Sequence, residues 1–542
     1  MILTINNKEY EYKENTSLEE ISKDFSGYKI CAKVNNRIRE LSYKISKDST
    51  IEFLDLKSGD AMKIYQATLR YLVAMGVKEL FKDTDIRFSN SISMSLFAKL
   101  EGRVITKNEI ELLENKIREY IKNDVRFERK KYPISEMVEY YKSMGYLDKI
   151  ETLKYRNQDV NIYECGSYKN YMYSYMAPSA SYIKDFKFIP YHPGFMIQFP
   201  RMEAKGYIPQ FVDEPNFLRA LANESKWCKI TNSENIYDIN KKVENYDELI
   251  KFIGMCETRH SHDINEIGSR IEKNIDEIRL IAIAGPSSSG KTTFSKKLEI
   301  ELLSRNIHPM RISLDNYYLP SEKCPVDEDG NPDFEHVDAL NIQLFNENMM
   351  DFLSGNEVRL PVFDFKKRKQ YFLDPVKLSK DGVIIIEGIH ALNSKLTMMI
   401  PKENIFKIYI VPLAQRNIDN HNPISLTDLR LVRRIVRDRQ FRNTEALNTL
   451  IQWKSVRNGE RRWIYPNMED ADYIFNSELG YELSVLKKHG MESLGTVPND
   501  SSQYIRANLL MKFLKVFKDI PDEYVKNSSL LREFIGGSIF KE

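Results

Sequence analysis

Cysteine is scarce in this chain. Five are scattered at positions 31, 165, 228, 256 and 324, with no C-x-x-C pair among them. The odd number and wide spacing argue against a disulfide scaffold or a zinc ribbon and for a reducing cytoplasm. No run of roughly 18 apolar residues occurs, so no segment is expected to cross a bilayer. The first residues, MILTINNKEYEYKEN, lack the apolar core of a signal peptide. Neither charge sign dominates. The formal net charge is +2, so affinity for nucleic acid or anionic membrane has to come from a local patch. Internal repeats and low-complexity tracts are absent. What is present is ordinary globular composition, 42% apolar and 29% charged over 542 residues. That length exceeds a single core and predicts roughly two to four domains.

Residues 1–57 alternate short strand patterns with one helix. ILTIN and YEYKE flank NNK as a hairpin would, and Ser17 with Glu20 forms a capping-box start for SLEEISKDF. Further strands, KICAKVNN and TIEFLDL, complete a small α+β domain of ubiquitin-like proportions. Residues 58–225 begin with AMKIYQATLRYLVAMGVKELF, a helix apolar on one face, and continue through NEIELLENKIREYIKN to aromatic-rich strands. Residues 226–277 read as a polar helical connector. In 278–480, apolar strand runs alternate with helical patterns, which predicts parallel βαβ units. The tail, 481–542, carries the amphipathic stretch YIRANLLMKFLKVFKDI. The fold class expected is therefore multidomain α/β and α+β.

The most informative segment is IRLIAIAGPSSSGKTT at 278–293. A β-branched run enters Gly285, Pro286, Ser287, Ser288, Ser289, Gly290, Lys291 and Thr292, followed by Thr293. This is the G-x-x-x-x-G-K-[ST] phosphate loop. Glycines let the backbone approach a polyphosphate and turn several N–H groups toward it. Lys291 would reach the β- and γ-phosphates, Thr292 would help hold Mg²⁺, and the following helix adds its positive dipole end. ATP and Mg²⁺ are thus the expected small-molecule partners. A Gly/Ser-rich turn without ligand is the bland alternative.

The residues that follow decide the chemistry. Asp315, in RISLDNYY, stands where a second parallel strand would deliver a proton acceptor beside the loop. It reads equally as an Asx-turn residue. NPDFEHVDAL places Asp333, Glu335, His336 and Asp338 around Phe334. Such carboxylates suit the vicinal hydroxyls of a ribose, or belong to a wet loop. LPVFDFKKRKQ sets Phe363 and a second phenylalanine beside a run of cations that includes Arg368, fit to sandwich a base or to fill a core. VIIIEGIH ends a buried strand in Glu387, a carboxylate costly to bury without a cation and so assigned to the metal. RLVRRIVRDRQFR puts Arg430, Arg433, Arg434 and Arg437 on one helix face and Leu431, Val432, Ile435 and Val436 on another. That basic face fits a lid over a triphosphate, an RNA-contacting patch or a salt-bridged surface helix.

Taken together, residues 278–480 resemble the uridine kinase and phosphoribulokinase group of P-loop kinases. GPSSSGKTT, SLDNYY, DFEHVDAL, VFDF, IIIEGI and RLVRRIVRD follow that group's motifs in order. The resemblance implies that Asp315 is the base, that Tyr318 contacts substrate, and that Phe334, Glu335, His336, Phe363, Arg368 and Arg430 belong to the substrate side. It implies phosphate handling by Lys291, Arg433, Arg434 and Arg437. Glu335 stands in place of the group's aspartate, Arg368 in place of a histidine and Val337 in place of a proline, so the acceptor's base is left open. Residues 1–57 are similar to the TGS domain of threonyl-tRNA synthetase, and 58–225 to its editing domain. Aligned motifs put Ala67, Tyr71, Met172 and Met176 where that domain keeps its His and Cys ligands, which implies neither editing nor zinc there. The whole resembles bacterial nucleoside (uridine) kinases with a synthetase-like front half. The expected activity is phosphoryl transfer from ATP to an alcohol of a nucleoside or related sugar. The second reading is a nucleotide-gated RNA or ribosome-binding protein, though no N-K-x-D guanine motif follows the loop. RNA contact through the front half, sensing of a small ligand there and homo-oligomerisation are left open.

Overall fold

The computed structural model describes residues 1–540 apart from 157, 328–329, 365–368 and 380. Buried apolar side chains gather into four cores along the chain. The first belongs to a mixed sheet in the order Lys8–Glu11, Ile2–Ile5, Ser49–Leu54, Cys31–Val34, Arg37–Glu40. Its first hairpin turns on Asn6 and Asn7, both at positive φ, the pair of left-handed residues a two-residue hairpin turn needs. The capping box is present. The Ser17 hydroxyl accepts from the Glu20 N–H at 3.2 Å, and the Glu20 carboxylate accepts from the Ser17 N–H at 3.0 Å.

The second core surrounds the helix Gly59–Leu80. We expected one apolar face, but the helix is buried without interruption from Ala67 to Val77. Two of its polar side chains bond inside, while the buried Arg70 Nε has no partner. Thr68 accepts from the Ala177 N–H at 2.9 Å, and the Tyr71 hydroxyl donates to the carbonyls of Tyr168 and Tyr163 at 3.0 and 3.3 Å. Ala67, Tyr71, Met172 and Met176 all lie in this core, each 4% exposed or less.

The phosphate-loop region holds five parallel strands in the order Pro309–Ser313, Val383–Glu387, Leu280–Ala284, Ile405–Val411, Tyr473–Asn476. All five residues of Leu280–Ala284 and of Val383–Glu387 are buried, as expected of central parallel strands covered by helices on both faces. Residues 226–277 are helical, but they do more than connect. Ile264, Ile267 and Ile271 of the helix Tyr246–Lys273 share a core with Ile281 and Ile283 of the central strand. The front and back halves meet at the paired strands Asn417–Asp419 and Asn422–Pro423. The Lys149 ammonium donates to Asp419 at 2.9 Å with both side chains almost wholly buried, and the His421 ring lies between Asp85 and Asn170. Among the described residues no helix is long and apolar enough to cross a membrane.

Candidate active site at the phosphate loop

The loop begins where the central strand ends. A Cβ on Gly285 would strike the Ile410 carbonyl of the neighbouring strand, and Gly290 sits at φ +91° with the Leu530 side chain against it. Both positions therefore require glycine. The Lys291 ammonium folds back to donate to the Gly285 carbonyl at 3.0 Å and the Pro286 carbonyl at 3.3 Å. Burial lowers its pKa, while Glu387, Asp315 and Glu533 hold it up. The Ser288 and Ser289 hydroxyls are buried without a hydrogen-bond partner. A cradle with orphaned donors is what an anionic ligand would complete.

Strand register brings the carboxylates together. Ser313 pairs with Glu387 across the sheet, and its hydroxyl donates to that carboxylate at 3.0 Å. Asp315 follows in the short turn Leu314–Tyr317. Loss of surrounding water raises both carboxyls, Glu387 to about 7, and each feels Lys291 as a counter-charge. Asp315 also raises Glu387 by repulsion, whereas Arg442 and Arg437 pull Asp315 down. The Asp315 side chain itself reaches solvent, so the desolvation comes from the depth of the cleft around it. Two crowded hard-oxygen donors, with the Ser313 hydroxyl between strands, have the chemistry that suits Mg²⁺. Among the described residues the one trio of close metal-ligand side chains is instead His262, Asp263 and Glu266, on the outside of a helix.

On the substrate side, Tyr318 packs edge-on to Phe334 at 6.0 Å between ring centres and tilts over Phe363 at 6.4 Å, and its hydroxyl donates to the Phe334 carbonyl. Glu335 stands nearby with one carboxylate oxygen buried and unpartnered. Burial first and the Glu460 charge second raise its pKa to about 7. His336 packs on Trp463 at 4.2 Å and accepts from the Asp338 N–H. Arg368 lies outside the described residues. His390, three residues past Glu387, escaped the sequence reading. It is buried, and burial lowers its pKa to about 4 against a weak pull from the Glu335 backbone. Its signal was present in VIIIEGIH, but a histidine ending an apolar run looks like core filling.

The arginine helix Leu426–Arg442 differs from the expected open basic face. Arg430 pairs with Glu460 and also donates to the Ser287 carbonyl at 3.0 Å. Arg433 grips Glu482 with two nitrogens, at 2.7 and 2.6 Å, and donates to the Ser288 carbonyl at 3.3 Å. Arg434 donates to the Ser287 hydroxyl at 2.9 Å. These three are buried along with Leu431, Val432, Ile435 and Val436. The helix is thus covered on both faces, and its cations brace the loop from behind. Helical spacing assigns faces, but only long-range packing decides which are wet. Arg442 and Arg437 are the arginines of this helix whose charge reaches Asp315.

One contributor was invisible in the sequence. The C-terminal tail crosses the loop, and the Glu533 carboxylate accepts the Thr293 N–H at 3.0 Å. A carboxylate thus occupies one of the loop-helix amides that would otherwise face phosphate.

The region that carries this site is similar to known proteins. Residues 280–480 match the model of the Phosphoribulokinase / Uridine kinase family, so the C-terminal part contains a P-loop kinase domain of that type. A uridine kinase of Borrelia duttonii (strain Ly) is 29% identical over 233 residues, 42% of this chain and 99% of that protein. A threonine–tRNA ligase of Anaplasma marginale (strain Florida) is 24% identical over 167 residues, 30% of this chain and only 26% of that enzyme; such ligases match the front half. Among solved structures, a possible uridine kinase from Bacillus stearothermophilus aligns with 38% of this chain and 100% of its own, at 16% identity and a TM-score of 0.26.

Proposed function

We propose that the chain transfers the terminal phosphoryl group of ATP to a hydroxyl of a nucleoside, uridine-like, or of a related sugar alcohol. The observation that carries this reading is the convergence of Lys291, Asp315 and Glu387 at neighbouring strand ends. Lys291 and the backbone N–H groups of residues 287–293 bind the phosphates. Asp315 accepts the proton of the attacking hydroxyl as the new O–P bond forms and the bond to the ADP oxygen breaks. Its raised pKa makes it a stronger base than a wet aspartate. Arg437 balances charge at the transferring group. Thr292 and Glu387 would hold Mg²⁺, which when bound neutralises the phosphate charge. Tyr318, Phe334, Glu335 and Phe363 face the acceptor, with Glu335 accepting from its hydroxyls. Glu533 has to leave Thr293 when the nucleotide arrives.

ADP release across a panel of nucleosides, ribose phosphates and sugar alcohols tests this directly. Acceptor-dependent turnover is expected, and Asp315→Asn should lower it at least about a hundredfold while ATP binding persists. No ADP release with any alcohol, or near-normal turnover by that variant, would overturn the reading or the role of Asp315 respectively.

A further inference from the structure

Far from the phosphate loop, a cavity of about 1050 Å³ opens where the N-terminal sheet, the aromatic segment around residue 173 and the C-terminal helices meet. Its charge is lopsided. Of its four carboxylates, three are neutralised by their own cations, Asp428 by Lys63 and Arg506, Glu244 by Lys518 and Asp519 by Lys487, and Asp60 is the one without an ion pair among the described residues. Among the described residues, Arg37, Arg39, Arg156, Lys512 and Lys515 line the same space without an ion pair. Like charge accumulates enough that Arg39, Arg37, Arg129 and Lys515 all push the Lys512 pKa down, after desolvation. Between the cations stand tyrosines 155, 171, 173, 175, 237 and 504. The Tyr173 hydroxyl has no hydrogen-bond partner. The Arg129 guanidinium already lies over the Tyr175 ring at 5.1 Å, so cation and ring face one another across the wall.

Unpaired cations spread along a cleft select a ligand with several separated negative charges. Interleaved aromatic rings select one that also offers flat faces to stack on. Single-stranded nucleic acid unites the two, and its non-specific binders use this combination. The cavity is large for one nucleotide, and its cations come from both ends of the chain. We propose that this cavity binds a short single-stranded RNA segment, with phosphates on Arg37, Arg39, Lys512 and Lys515 and bases against the tyrosines. This site is separate from the kinase reading and does not depend on it.

The test uses the full chain without ATP or acceptor. Fluorescently labelled single-stranded RNA of about eight nucleotides is titrated by anisotropy at several salt concentrations. Binding should weaken at least tenfold in Lys512→Gln/Lys515→Gln, both of which are exposed and tolerant positions. The log–log salt slope should fall by about 1.4, from two phosphate contacts at about 0.7 each on a single strand. Tyr504→Ala should weaken binding with the slope unchanged, because a ring carries no charge. A duplex of the same sequence should bind more weakly. Absence of RNA binding, capture of mononucleotides alone, or an affinity and slope indifferent to the lysine substitutions would overturn the proposal. Kinase turnover is read separately, so each hypothesis can fail alone.

Discussion

The chain contains two places that sequence motifs single out, one where the polar ligands are replaced and one where they are kept, and they are built in opposite ways. In the front half, Ala67, Tyr71, Met172 and Met176 are close-packed among apolar neighbours, and the Tyr71 hydroxyl is spent on main-chain carbonyls. At the phosphate loop, Ser288, Ser289 and Glu335 keep polar atoms with no partner, and carboxylates crowd until their pKa values climb. Unpartnered buried polar atoms also occur in the front half, at Arg70 Nε and Asn170 Oδ1, so what sets the cleft apart is their gathering with crowded carboxyls around one loop.

Four experiments would break or sharpen this contrast. The largest effect belongs to the cleft. Lys291→Ala should lower turnover by about 10²–10³, the loss typical of one preorganised charge donor. The volume-conserving change Met172→Leu should leave turnover unaltered; equal losses from both would erase the distinction. Next, Tyr71→Phe strands two buried carbonyls and should destabilise the fold by about 1–3 kcal/mol in urea unfolding without changing kcat. A drop in kcat at unchanged stability would show a working group in the front half.

Third, Glu533→Gln weakens the tail's hold on the Thr293 amide. The ATP-analogue Kd measured by calorimetry should fall about tenfold, about 1.4 kcal/mol. A weaker Kd would make Glu533 part of the nucleotide site instead of its competitor. The smallest effect is a pH dependence. Glu335 titrates near 7 when folded and near 4.3 when unfolded. Between those values the folded state holds the extra proton, so stability falls as pH rises through that window. Glu335→Gln should flatten the decline in Tm between pH 5 and 8. An unchanged slope would place Glu335 in water.

Much of the cleft was legible because its parts are local. The glycine-flanked lysine, the strand ending in Glu387 and the Asp315 turn each announce themselves within a few residues, and parallel pairing then has little choice about where to bring them. The capping box at Ser17 was legible for the same reason. What could not be read spans distance. Nothing near Arg433 in sequence foretells Glu482 as its buried partner, and nothing near Thr293 foretells Glu533. The arginine periodicity was correct, yet it could not say that both faces of the helix would be covered. The helix Gly59–Leu80 misled similarly, since its polar residues suggested a wet side that burial abolishes.

The seam between the halves has a practical consequence. Lys149 and Asp419 neutralise one another out of water, and the His421 ring is wedged between Asp85 and Asn170. Excising residues 278–480 as a minimal enzyme would take Lys149 away from Asp419 and Asp85 and Asn170 away from His421, and would open to water the surface that the front half covers. Although the Borrelia uridine kinase aligns with only 42% of this chain, the front half here shares a buried ion pair with its neighbour, and the two should purify and melt as one piece.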